Sequence, residues 1–138
     1  MKKIVLLIGM LLLLVACSPK EVELGMSQDE VQEIIGEPNL IMNGYSAEIM
    51  VEVSLDNHWF ANKDDTHRLN TDEAFKTEVS HVVGKLNHLE DQMKSGGYVE
   101  LHNYETEDDG DIHYFFLNDE LFLIDDVSRY MIPNREEK

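Results

Sequence analysis

The chain has little of what small disulfide-rich or metal-bound domains use for stability, since its 138 residues include one cysteine, Cys17. A single cysteine excludes a disulfide within the chain and a zinc site built from several cysteines. The common active-site motifs are also absent: there is no Gly-x-Ser-x-Gly turn, no glycine-rich phosphate loop and no His-Glu-x-x-His. We therefore expect a domain that is stable through packing alone, needs no cofactor and is not an enzyme.

Positive charge is also scarce, with 11 Lys and Arg against 28 Asp and Glu and a formal net charge of −17. Such a chain is repelled by phosphate backbones, so nucleic acid is not expected as a partner. Solubility outside the cell is a sufficient reason for the acidity.

The longest apolar run, Ile4–Ala16, is too short to cross a bilayer core, which takes about 20 residues of helix. Lys2 and Lys3 precede it, and a small residue, Ala16, ends it. A charged start, a short apolar run and a small residue before the cleavage point are typical of a signal peptide. We predict that residues 1–16 are removed. Because the two lysines are lost with them, the formal net charge changes from −17 to −19.

The residues at the cleavage point, Leu14-Val15-Ala16-Cys17, resemble the lipobox of bacterial lipoproteins. The resemblance implies cleavage between Ala16 and Cys17 and attachment of diacylglycerol to the Cys17 sulfur. It places the protein on the extracytoplasmic side of the cell membrane, or on the outer membrane if the host has two membranes. Two or three acyl chains suffice for stable anchoring, whereas one does not. The alternative is a plain secreted protein or a short membrane anchor, and in either case Cys17 has no role.

Residues 18–138 are enough for one domain with a real core. We expect a short tether at 17–24, a single domain at 25–132 and a frayed tail at 133–138. No internal repeat or long low-complexity tract divides this stretch.

The segment Gly25–Pro38, GMSQDEVQEIIGEP, predicts a two-turn helix with both ends specified. Ser27 and Glu30 have the spacing of a capping box, and Met26 is placed to pack on Val31. Gly36 is the expected stop, since a left-handed residue at this position is usually glycine.

This pattern, GMS-x-x-EV-x-x-x-x-G-x-P, resembles the opening helix of small bacterial lipoproteins of the BamE (SmpA/OmlA) type and of β-lactamase inhibitory proteins. The resemblance covers these 14 residues and implies helices packed on an antiparallel sheet and a role in binding or assembling other proteins. The chain departs from the family in the long stretch between this helix and the next, residues 40–70.

In that stretch, Leu40–Leu55 is predicted to be extended, because Ile49, Val51, Val53 and Leu55 alternate with polar neighbours. Residues 56–70 are predicted to form a loop that carries Trp59 and Phe60. Asn70 is expected to cap a long helix, with apolar residues at alternating spacings of four and three: Phe75, Val79, Val82, Leu86, Leu89 and Met93. The stripe spans three heptads, so we favour packing on the sheet over a coiled coil.

The C-terminal part predicts a strand meander over 98–105, 112–117 and 120–124, with a two-residue turn at Asn118-Asp119. Both faces of the last hairpin are apolar, so we expect its second face to be covered by the Trp59 loop or by a partner. The predicted fold is α+β, with a short and a long helix packed on an antiparallel sheet of three to five strands.

One acidic run, residues 105–111, suggests a cation loop formed by Glu107, Asp109 and Asp111. An EF-hand is excluded because the twelfth position is Phe116, where a bidentate glutamate is required. The ordinary interpretation is a solvated hairpin tip. His81 and His88 are two turns apart on the long helix, about 10 Å, which is too far for one ion. His102 and His113 are candidates to face each other across adjacent strands.

We therefore expect a membrane-anchored lipoprotein that binds or assembles another envelope protein without catalysis. The alternative is a lipoprotein that binds a cation or small ligand through the acidic loop. A third hypothesis is an enzyme with no recognisable motif.

Overall fold

The computed structural model describes residues 20–59, 68–107 and 110–127. Within these residues, besides a helical turn at 68–71, three helices and four strands follow one another: α1 (Gln28–Ile35), β1 (Leu40–Asn43), α2 (Tyr45–Trp59), α3 (Glu73–Lys94), β2 (Val99–Glu105), β3 (Asp111–Leu117) and β4 (Glu120–Asp126). The strands form one antiparallel sheet in the order β1-β2-β3-β4. Helices packed on an antiparallel sheet confirm the predicted α+β class.

Helix α1 begins and ends where the sequence predicts. The Glu30 backbone N–H donates to Ser27 Oγ (3.3 Å), and the Ser27 N–H donates to the Glu30 carboxylate (2.9 Å), which completes the capping box. Met26 packs in the same apolar cluster as Val31. Gly36 ends the helix with φ +87° and ψ −174°, a conformation that only glycine adopts without strain.

The prediction of a strand over Leu40–Leu55 is wrong beyond residue 43. Strand β1 ends at Asn43, Gly44 turns with φ +55°, and the chain continues as the 15-residue helix α2. The buried residues of α2 recur at spacings of four, three and four: Ala47, Val51, Ser54 and His58. The alternation that indicated a strand rested on Ile49 and Val53, which are 38% and 40% exposed on the helix. The apolar residues of this segment therefore fit both the two-residue period of a strand and the period of a helix. Tertiary packing decides in favour of the helix.

The prediction of a loop at 56–70 is wrong at both ends of this range. Residues 56–59 complete α2, and residues 68–71 are helical. Phe60 and the rest of the range 60–67 lie outside the described residues.

Helix α3 has the predicted apolar face but a different cap. Asp72, and not Asn70, accepts the Phe75 backbone N–H (3.0 Å), because residues 68–71 are already helical. The buried side chains lie along one face of the helix: Phe75, Val79, Val82, Val83, Leu86 and Leu89. Met93 is partly buried against the same core, so the stripe packs within the domain as expected.

The sheet has a core on each face. On one face α2 and α3 pack over Val99, Leu101, Phe115 and Leu123. On the other, α1 packs through Val31 on Tyr114, Phe116 and Leu121. The second face of the hairpin thus packs against α1. Most of the loop that was one predicted cover, residues 60–67, lies outside the described residues.

The hairpin turn is confirmed, since Asn118 and Asp119 both have positive φ (51° and 71°), as a two-residue type I′ turn requires. The strand register also shows that the expectation of His102 and His113 facing each other is wrong. His102 lies opposite Tyr114 and His113 lies opposite Asn103, so the two imidazoles are on opposite faces of the sheet.

Candidate functional site

Exposed apolar side chains are concentrated on β1 and the first half of α2. Eight large hydrophobic residues are exposed in the described part of the chain, and five of them lie between residues 40 and 53. We call these five the edge surface: Leu40, Ile41, Tyr45, Ile49 and Val53, with exposed fractions from 38% to 76%. Single exposed hydrophobics are normal, but a concentration on one element is typical of a binding surface.

Strand β1 is an edge strand whose outer side has no neighbour among the described residues. Its four residues, LIMN, include none of the usual protections of an edge, such as a charged side chain, a proline or a bulge. Its outward backbone groups can therefore pair with an added strand. Of the protections that natural edge strands use, β1 has its short length.

The opposite edge, β4, is partly closed by the chain that precedes α1. The Gly25 N–H donates to the Leu121 carbonyl, and the Leu121 N–H donates to the Met26 carbonyl, both at 2.8 Å. Ser27 and Glu120 form an isolated antiparallel bridge. Strand addition is therefore favoured at β1 over β4.

The charge around the edge surface has one sign. Residues 37–56 contain four acidic residues and no Lys or Arg. Glu37 and Glu52 are exposed and Glu48 is half-buried. The surface is thus apolar with an acidic border, which favours a partner that carries basic residues.

A hydrogen-bonded cluster supports β1 from the neighbouring strand β2. The Tyr98 hydroxyl donates to Glu100 Oε2 (2.9 Å), and His102 Nε2 lies 2.7 Å from Glu100 Oε1. The hydrogen bond to Glu100 is the main cause that raises the pKa of Tyr98. His102 is fully buried, lies opposite Ile41 and contacts the Phe116 ring at 4.7 Å between centroids. The cluster fixes the face of the sheet that carries Ile41.

On the helix face, a second set of buried polar residues connects α2 to the sheet. His58 Nε2 lies 3.1 Å from Asp125 Oδ2, and both residues are at least 95% buried. His113 lies opposite Asp125 in the strand register. Burial lowers the pKa of His113, and the negative charges of Asp125 and Asp111 oppose that shift. Sequence analysis missed His58 and Asp125 because α2 was predicted as strand and loop; the spacing of Ala47, Val51, Ser54 and His58 was the available signal.

The predicted cation loop is not assembled into a site by the residues described. Glu107 is exposed, and Asp109 lies outside the described residues. Asp111 is half-buried and its Oδ1 accepts a hydrogen bond from Asn103 Nδ2 (3.0 Å). Thr106 closes the turn, since its N–H donates to the Gly110 carbonyl and its Oγ1 accepts the Gly110 N–H. This arrangement is that of a hairpin tip.

Over residues 20–59, 68–107 and 110–127, no three His, Cys, Asp or Glu side chains converge as metal ligands. His81 and His88 are exposed on α3. The residues predicted to be lipidated and to flank the cleavage point, Cys17 and Ala16, precede the first described residue.

Within the described ranges, no helix combines the length and apolar character needed to cross a membrane. No family model, curated protein or solved structure matches the chain.

Proposed function

We propose that the protein is a lipid-anchored, non-catalytic binding module that adds an extended segment of another envelope protein to β1. The observation that carries the proposal is the edge surface, a concentration of exposed apolar side chains on and beside an unprotected edge strand, with Leu40 and Ile41 on its two faces. Backbone pairing supplies affinity in such complexes, and pockets for alternate side chains supply specificity. The acidic border defines the partner's chemistry: alternating apolar side chains flanked by Lys or Arg.

Anchoring at Cys17 is the second part of the proposal and rests on the lipobox resemblance. Val22 packs against the apolar cluster under α1, and it is the fifth residue after Cys17. Five residues span at most about 17 Å, which keeps the domain close to the bilayer.

Residues 25–27 and β1 lie at opposite edges of the sheet. The chain enters along β4, and β1 lies three strands away, about 14 Å at the usual strand spacing. A lipid on Cys17 would thus hold the β4 side to the membrane and leave β1 accessible to a partner.

Mass spectrometry of the matured protein tests the anchor. We expect an N-terminal residue 17 whose sulfur carries diacylglycerol, and a Cys17→Ser variant that is not processed. An unmodified thiol in the matured product would contradict the proposal.

Site-specific photocrosslinking in intact cells tests the binding edge. A photoreactive phenylalanine replaces Ile41 (46% exposed), with Ile35 (39% exposed) on α1 as the matched control. We expect one discrete crosslinked partner from Ile41 and none from Ile35, and we expect Leu40→Lys to abolish the crosslink. The crosslinked peptide of the partner should be apolar and bordered by Lys or Arg.

Two results would overturn the proposed binding mode. One is an equal crosslink from both positions. The other is a partner peptide that is acidic, or that belongs to a second copy of this chain.

A further inference from the structure

A cavity of about 500 Å³ lies between the end of α2, the helical turn at 68–71 and the middle of α3. Its apolar walls include Leu69, Val79 and Val83. Buried His58 lines it and is held by Asp125 on the sheet behind. An apolar cavity of this size with a few polar groups is the usual form of a small-molecule site. It is separate from the edge surface, so its argument does not depend on the proposed protein binding.

Gly84 provides a second, independent observation. It is an interior residue of the 22-residue helix α3, where glycine is less favourable than alanine. Its φ lies outside the positive range, and a Cβ added there would meet no atom within 4 Å. Neither backbone conformation nor close packing therefore requires glycine at this position. Gly84 lines the cavity, and the missing side chain keeps that volume open.

The polar face of α3 defines the mouth of the cavity. Lys76, Ser80, Gly84 and Asn87 all line it and follow one another at spacings of four, four and three, so they share one helix face. Lys76 is exposed, and its Nζ lies 3.7 Å from a Glu73 carboxylate oxygen. In a chain with 28 acidic residues, none of the described residues that line this cavity carries a carboxylate. Apart from the His58 imidazole, the acidic or basic side chain among the described lining residues is thus that of Lys76.

We infer that this cavity binds a small apolar anion, with an aliphatic or aromatic body between α2 and α3 and a carboxylate-type head group at Lys76. The apolar walls supply the affinity for the body, since each buried methylene adds favourable transfer free energy. Lys76 and Ser80, one helical turn away, supply donors for the head group. A cationic amphiphile of the same length lacks the complementary charge.

Photoaffinity labelling tests the inference on the full-length protein in phospholipid nanodiscs. The probe is decanoate with a diazirine in its chain, and the labelled peptides are mapped by mass spectrometry. We expect saturable labelling of the peptides that contain residues 69–87, competition by unlabelled decanoate, and at least tenfold weaker labelling by a decylamine probe of equal length.

Two variants of α3 separate the cavity from general hydrophobic binding. Gly84→Leu fills the cavity and should weaken labelling at least tenfold. Ala74→Leu adds a similar side chain at an exposed position of the same helix that does not line the cavity, and should leave labelling unchanged. Circular dichroism checks that both variants are folded. If Gly84→Leu does not fold, Gly84→Ala replaces it as a smaller substitution.

Three outcomes would overturn the inference: no saturable labelling of α3, labelling that Gly84→Leu leaves intact, or equal labelling by the amine probe. The Lys76→Gln variant tests the position of the head group. It should weaken labelling by the decanoate probe several-fold and leave the affinity for uncharged decanol, measured as a competitor, unaffected. Equal loss of both would refute the assigned position of the head group.

Discussion

Replacing Gly84 by alanine should stabilise the protein, although glycine is the natural residue. Alanine is favoured over glycine in a helix interior by about 0.5–1 kcal/mol. The added Cβ meets nothing within 4 Å, so no steric term reduces this gain. We expect an increase of about 0.8 kcal/mol in the free energy of unfolding, or about 3 °C in Tm for a domain of this size.

Urea unfolding followed by circular dichroism measures the effect on the full-length protein in detergent micelles. The midpoint should rise without a change in the slope m, because the surface exposed on unfolding is the same. Glu78 on the same helix is exposed and supplies the reference. The difference between Glu78→Ala and Glu78→Gly measures the intrinsic preference for alanine in α3. It should have the same size as the gain at Gly84.

A destabilised Gly84→Ala variant would refute this reasoning. It would mean that the glycine has a packing role, and the cavity would then lose its second supporting observation. Stabilisation with a loss of probe labelling would instead indicate that the residue is kept small for a ligand.

Three further predictions concern stability. Ser27→Ala should cost about 1 kcal/mol through loss of the capping box, whereas Ser80→Ala on an exposed helix face should not lower stability; equal losses in urea would contradict the role of the cap. Burial raises the pKa of Tyr104 to about 12, so its stabilising contribution is complete below pH 10 and is lost as the pH rises towards 12. Tyr104→Phe should therefore flatten the alkaline limb of Tm against pH, and an unchanged limb would refute the assignment. Burial lowers the pKa of His113, so stability is complete above pH 6.5 and falls as the unfolded chain takes up a proton below it; His113→Gln should reduce this acid loss, and an identical profile would exclude His113 as its source.

Local signals in the sequence were sufficient for α1, α3 and the hairpin. In α1, Ser27, Glu30 and Gly36 act within a few residues of one another, so no tertiary information is needed. The same holds for Asn118 and Asp119, whose positive φ values follow from the two-residue turn. The apolar stripe of α3 is long enough to define one period without ambiguity.

The segment from 40 to 59 could not be predicted in the same way. The spacing of its apolar residues is compatible with both a strand and a helix. Which of the two forms depends on what Ala47 and Val51 contact in the folded domain. The edge surface could not be predicted for the same reason. Ile49 and Val53 were expected on the buried face of a strand and are in fact exposed on α2. His58 and Asp125 are 67 residues apart in the chain, and no local pattern indicates that they meet.

The central claim is that β1 receives a strand from a partner. Hydrogen–deuterium exchange on the full-length protein, with and without the partner identified by crosslinking from Ile41, tests it most directly. We predict that slower exchange is confined to residues 40–43 and the start of α2, with β4 unchanged. Protection centred on β4 or α1, with residues 40–43 exchanging as in the free protein, would contradict it.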